Sequence, residues 1–179
     1  MEYLDIIEFW FDELGPDDWF TVNARIDQKV AEEFSEVHKL ACQSRLSEWR
    51  RKPHGRLAEI IVLDEFSRFL YRNSAKAFSQ DFLALKLAKR FMALKMDRYL
   101  SLEEKTFLYL PFIHSEDLHT HEQILERLQE PGLEFSYEYE RRHVEVLEHF
   151  GRYPQRNSLL GRVSTDQEIE YLHDHGLVS

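Results

Sequence analysis

Three polar places in the chain carry residue types that do chemistry, at spacings that bring them together. The first lies within Leu57-Ala58-Glu59-Ile60-Ile61-Val62-Leu63-Asp64-Glu65-Phe66-Ser67-Arg68, where an apolar stripe through Leu57, Ile60 and Ile61 meets Asp64 and Arg68 on the same side. Acid and base stand four residues apart, one helical turn, so their side chains can touch. On an apolar face they must pair or lose heavily to desolvation. The pair reads either as a structural tie to a neighbouring helix or as a charged pair lining a pocket.

The second place is Leu110-Pro111-Phe112-Ile113-His114-Ser115-Glu116-Asp117-Leu118, followed by His119 and His121. A proline break frees backbone groups beside ionisable side chains. If the helix resumes at once, His114 shares a face with Asp117, and Asp117 with His121. That arrangement admits a metal, but the spacing matches no established zinc signature and no fourth ligand is evident, so no metal is expected. Ser115, Glu116 and Asp117 equally suit the start of a helix, where a hydroxyl caps and negative charge is favoured.

The third place is the loop from Phe150 to Thr165, with Arg152, Arg156 and Arg162 crowded between two helix ends in an otherwise acidic chain. Guanidinium groups grip carboxylates and phosphates through two parallel hydrogen bonds. The helix after the loop presents free N–H groups to an anion. Arg152, Arg156, Asn157 and Arg162 are therefore candidate anion ligands. The competing reading has these arginines binding helix-end carbonyls and pairing with Asp64, Glu116 or Asp117. His143, flanked by Tyr139, Val146 and Phe150 on one face, reads as a hydrogen-bonded core histidine beside these places. Trp10, Trp19 and Trp49 read as core anchors, and Cys42 as a small packed residue. There is no P-loop, dinucleotide glycine fingerprint or Ser-His-Asp order, and no cofactor is expected.

These residues sit in a chain of 179 with 43% hydrophobic and 13% aromatic content, enough for one globular domain spanning 1–179. The net charge of −10 argues against nucleic acid as partner. The longest apolar run, Phe107 to Ile113, is too short for a bilayer, and the acidic N-terminus lacks the basic start of a signal peptide. With a single cysteine, the expected location is cytoplasmic.

Apolar residues recur at three and four, and no segment alternates as a strand would. A helix is expected over about Glu2–Leu14, with Leu4, Ile7, Phe11 and Leu14 on its buried face and Gly15-Pro16 ending it. Others follow over about Ala24–Gln43, Arg56–Tyr71 and Ala75–Met96. A short segment ending at Trp49 comes third in this order, and Ser101-Leu102-Glu103-Glu104 has capping-box spacing and opens a sixth helix, which should kink or break at Pro111. A helix over about Phe135–Phe150 stops at Gly151, and Thr165 to Glu168 forms a second capping box. The fold class is all-α, with short loops favouring antiparallel helical neighbours.

At Ile7-Glu8-Phe9-Trp10-Phe11, Gly55-Arg56-Leu57-Ala58, Leu63 to Arg68, Phe107 to Asp117, Phe150 to Asn157 and Leu160 to Thr165, the sequence resembles a bacterial family known as domain of unknown function 924. The resemblance implies tetratricopeptide-like helical packing, as a compact superhelix or bundle, over nearly the whole chain. It carries over no activity. The resemblance also leads one to expect glutamine, proline and asparagine where Glu65, Ser67 and Phe69 stand, and so a straighter motif helix here.

Two functional readings follow. One is a helical-repeat-like domain that binds a protein or peptide partner. The alternative is a site for an anionic small molecule held by the arginine loop, in its stronger form an enzyme in which His114 or Asp64 handles protons.

Overall fold

The computed structural model describes residues 1–175, and every regular element among them is helical. In chain order α1 is Tyr3–Glu8, prolonged by a π-turn over Phe9–Glu13; α2 is Pro16–Trp19, α3 Ala24–Cys42, α4 Pro53–Leu70, α5 Asp81–Ala93 and α6 Leu102–Ile113. After them come α7 (Leu118–Leu125), α8 (Glu134–Phe150) and α9 (Asp166–His175). Short 3₁₀ turns, including Ser47–Arg51 and Pro154–Arg156, fill several connections. The chain divides into two compact units, Met1–Pro111 and the segment from Phe112 onward. No helix among the described residues is long and apolar enough to cross a membrane.

The first unit is built on α4. Thirteen of its eighteen residues are buried, so it is enclosed by other helices nearly all the way round. It packs against α1, α3 and α5. Pro53 starts it, at the position where a missing N–H removes no hydrogen bond. The expected stripe of α3 is the buried one: Ile26, Val30, Phe34, Val37 and Ala41, joined by His38. Phe107 packs edge to face against both Trp10 and Trp19, which stack on each other, and the Trp19 Nε1–H donates to the Trp10 carbonyl at 2.9 Å.

Three local expectations are corrected. Ile6, Phe9 and Trp10 form the buried face of the first helix, and Leu4 is 58% exposed. The π-turn accommodates one extra residue, which changes the side-chain register after Glu8. The helix expected over Ala75–Met96 is divided. A 3₁₀ turn over Ala75–Phe78, capped by Ser74, comes first, and the Ser79 hydroxyl takes the Lys76 carbonyl at 2.7 Å before α5 begins. Finally, α6 runs through Pro111 and ends two residues later, because a proline in the last turn sacrifices only one terminal hydrogen bond.

In the second unit α7 packs against α8, and α9 against the 3₁₀ turn Pro154–Arg156. Gly151 ends α8 with φ +67°, the left-handed stop. Both capping boxes form. Ser101 N–H donates to Glu104 and Glu104 N–H to the Ser101 hydroxyl, and Thr165 and Glu168 repeat the pattern.

Candidate functional site

Within the first unit, α4 places Asp64 and Arg68 one turn apart on a buried face, as their spacing requires. Arg68 Nη1 donates to the Asp64 carboxylate at 2.8 Å and to its carbonyl at 2.7 Å. The other side of the guanidinium meets Asp81, the first residue of α5, at 3.1 and 3.3 Å. One arginine therefore bridges two helices through two acids. Glu65 is 8% exposed, and its Oε1 is buried without a hydrogen-bond partner. Burial, then the Asp64 charge beside it, pushes the Glu65 carboxyl up to about 8. At neutral pH this carboxyl keeps its proton and is uncharged, as the glutamine expected from the family resemblance would be.

In the second unit the segment after α6 is fastened from three directions. The Tyr153 hydroxyl donates to the Ile113 carbonyl at 2.5 Å. His121 Nε2 lies 2.7 Å from the Ser115 carbonyl, which can only accept, so this nitrogen carries a hydrogen. His121 Nδ1 faces Glu140 Oε1 at 2.7 Å, with both side chains fully buried. Glu140 Oε2 has no partner, and burial pushes the Glu140 carboxyl up. His143 is 4% exposed, with Nδ1 2.8 Å from the Tyr139 carbonyl and its ring 5.4 Å from that of Tyr153. Burial pushes His143 down to about 4, so it is a neutral core histidine at physiological pH.

The acids of the second place separate. Glu116 accepts from Arg162 at 2.6 and 2.8 Å and from the Tyr153 backbone N–H at 2.7 Å. It is an ion-pair partner and does not cap α7. Asp117 stands at the N-cap position of α7, where its Oδ2 accepts from the Thr120 hydroxyl at 2.7 Å and Ser115 Oγ accepts from the Asp117 N–H. His114 is half-buried, one residue past the end of α6.

Each arginine of the loop has a definite place. Arg152 holds both oxygens of Glu168 at 2.6 and 2.8 Å and the Val163 carbonyl at 2.9 Å. That grip, aided by the Thr165 N–H, draws Glu168 down to about 2. Arg162 takes Glu116 and the Tyr153 carbonyl. Arg156 lies over the Tyr153 ring, 4.9 Å from its centroid. Asn157 is buried and donates to the Ser164 hydroxyl. The loop thus clasps the end of α8, the start of α9 and the segment before α7.

The sequence did not single out Glu140 and Asp81, and it marked Glu168 only as a capping-box residue, yet these acids complete the networks. Glu140 had a signal: it falls on the stripe Ser136, Glu140, His143 and Leu147, the inward face of α8. Asp81 and Glu168 lie in first helical turns, where an acid is ordinary.

An open groove of about 760 Å³ runs along α8 and α9. Val146, Phe150 and Tyr171 supply its apolar lining, with Phe150 and Tyr171 edge to face at 5.1 Å. Glu145, Glu170 and Asp174 give it three carboxylates against one guanidinium, Arg142, and His149 and His175 complete the rim.

Residues 6–176 match the model of a family described as bacterial protein of unknown function (DUF924). The solved structure of a protein of unknown function, ATU0120 from Agrobacterium tumefaciens, is similar. It shares 31% identity over 96% of this chain and 97% of that one, with a TM-score of 0.91. No curated protein matches this chain.

Proposed function

This chain belongs to the bacterial DUF924 family, whose function is unknown, and for this member we propose a binding role: a helical, tetratricopeptide-like domain that holds a peptide segment of a partner protein in the groove between α8 and α9. The groove carries the reading. Its apolar lining supplies an anchor pocket for an aromatic or aliphatic side chain, and its carboxylates outnumber its arginine by three to one. The chemistry it selects is an apolar residue flanked by lysine or arginine.

The arginine loop supports this reading as a frame. By joining the end of α8 to the start of α9, the Arg152–Glu168 pair holds the two groove walls together. The alternative, an anion held by Arg152, Arg156, Asn157 and Arg162, stands second because two of those guanidiniums are already engaged by carboxylates through two hydrogen bonds each.

Selection from a peptide library, followed by fluorescence anisotropy, tests the assignment. A basic peptide with an aromatic anchor should bind, and Tyr171→Ala should weaken it about tenfold without loss of helicity. Arg156→Ala should leave peptide affinity unchanged. Selected peptides that bind Tyr171→Ala as tightly as the parent would exclude the groove.

A further inference from the structure

The two helices that wall the groove set carboxylates beside rings. On α9, Glu170 and Asp174 stand one turn apart, and Tyr171 and His175 form the row next to them. On α8, Glu145 and His149 stand one turn apart, next to Val146 and Phe150. In the folded chain the rings meet. Phe150 stands edge to face with Tyr171 at 5.1 Å, and the His175 ring stacks on Tyr171 at 4.4 Å. His149 stands edge to face with Phe150, also at 4.4 Å. Four rings thus make one continuous surface from α8 to α9.

The polar groups around this surface are mostly acceptors. Glu170 forms no ion pair among the described residues. Glu145 pairs with Arg141 at 3.6 Å and Asp174 with His173 at 3.1 Å, contacts exposed to solvent and therefore of little strength. His175 Nδ1 lies 3.1 Å from the Tyr171 carbonyl, which can only accept, so that nitrogen carries a hydrogen. In the neutral ring Nε2 is then a further acceptor. Three carboxylates against the Arg142 guanidinium leave the groove with charge −2 when its histidines are neutral. The ligand that complements it has two positive charges, donors without acceptors, and an apolar stretch between them. Two ammonium groups joined by methylenes meet all three requirements, since an ammonium has three donors and no acceptor.

We propose that the groove between α8 and α9 also binds a linear aliphatic diamine, with its methylenes on the Phe150–Tyr171 surface and its ammonium ends on the carboxylates of the two walls. Glu170 and Asp174 serve one end and Glu145 the other. The methylenes gain by leaving water for the rings, and each ammonium adds attraction to the ring faces and a charged hydrogen bond to an acid. The inference rests on the groove of the peptide reading, in which the diamine is a compact competitor for the partner's basic residues.

Isothermal titration calorimetry with putrescine, the four-carbon diamine, at low salt tests the site on the full chain. One saturable equivalent should bind, and butylamine, which lacks the second charge, should bind about tenfold more weakly. Glu170→Gln should weaken putrescine about tenfold, as expected for the loss of a charged hydrogen-bond acceptor. Glu126→Gln, which removes an acid outside the groove, should bind as the parent does. Both positions are exposed, so neither exchange disturbs the core. Absence of saturation in the millimolar range, or equal losses in Glu170→Gln and Glu126→Gln, overturns the site. If a selected basic peptide binds and putrescine does not displace it, the diamine site falls and the peptide reading stands. If putrescine binds while no peptide is selected, the peptide reading falls and the diamine site stands.

Discussion

Arg162 reaches back 46 residues to take both carboxylate oxygens of Glu116, at 2.6 and 2.8 Å. The same carboxylate accepts the Tyr153 N–H, and the same guanidinium donates to the Tyr153 carbonyl. Tyr153 is thus held through both of its backbone polar groups, while its hydroxyl donates to the carbonyl of Ile113, the last residue of α6.

Breaking this pair should destabilise the second unit in an acid-sensitive way. Burial opposes ionisation of Glu116, but the Arg162 and Tyr153 hydrogen bonds outweigh it and hold the carboxyl below its ordinary value. The stabilisation is therefore present above the unfolded carboxylate pKa and lost as pH falls through the folded one. Glu116→Ala should cost about 1–3 kcal/mol at neutral pH. Its unfolding curve should approach the parent's in acid. A constant difference down to pH 3, about one unit below an ordinary glutamate, would show that the charge is irrelevant.

Glu65→Gln should stabilise the protein. The unfolded carboxyl releases its proton near the ordinary glutamate value, whereas the folded one retains it to about 8. Glu65 therefore weakens the fold progressively as pH rises between those values. An amide removes that penalty, so the gain should be near zero at pH 4 and on the order of 3 kcal/mol at pH 7. Denaturant titrations across that range measure it. A gain that does not grow with pH would contradict the raised carboxyl.

Gly55→Ala should destabilise the first unit by roughly 1–3 kcal/mol, since the new methyl meets a backbone carbonyl that cannot rotate away. Denaturant titration of the variant, with circular dichroism to show that it folds, measures the loss. An unchanged unfolding midpoint would show that the turn over Ser47–Arg51 yields to the methyl.

Much of the helical layout was readable from local signals. The α3 stripe, both capping boxes and the Gly151 stop depend on residues within one or two turns of each other, and the structure places them as their spacing requires. The π-turn after α1, the divided helix at Ser79 and the continuation through Pro111 were not readable. Each turns on small differences between competing backbone hydrogen bonds, which packing outweighs.

At the candidate sites, sequence singled out most of the residues but not their partners. Asp64 and Arg68 share a turn of one helix, so their pairing was local and legible. Arg162 had several acids to choose from, and the choice of Glu116 follows from a chain reversal that brings two distant loops together. Glu140 was invisible as the partner of His121 because the two lie on different helices.

By itself, then, the sequence determined an all-helical chain, its capping boxes and the Gly151 stop, and the polar residues set on apolar faces, because periodicity and capping act over a few residues. Tertiary structure alone decided which charges pair, as Arg162 does with Glu116, and which polar atoms are buried without a hydrogen bond, as Glu140 Oε2 is. Electrostatic pairing depends on distance through space, and the order of residues along the chain does not contain that distance.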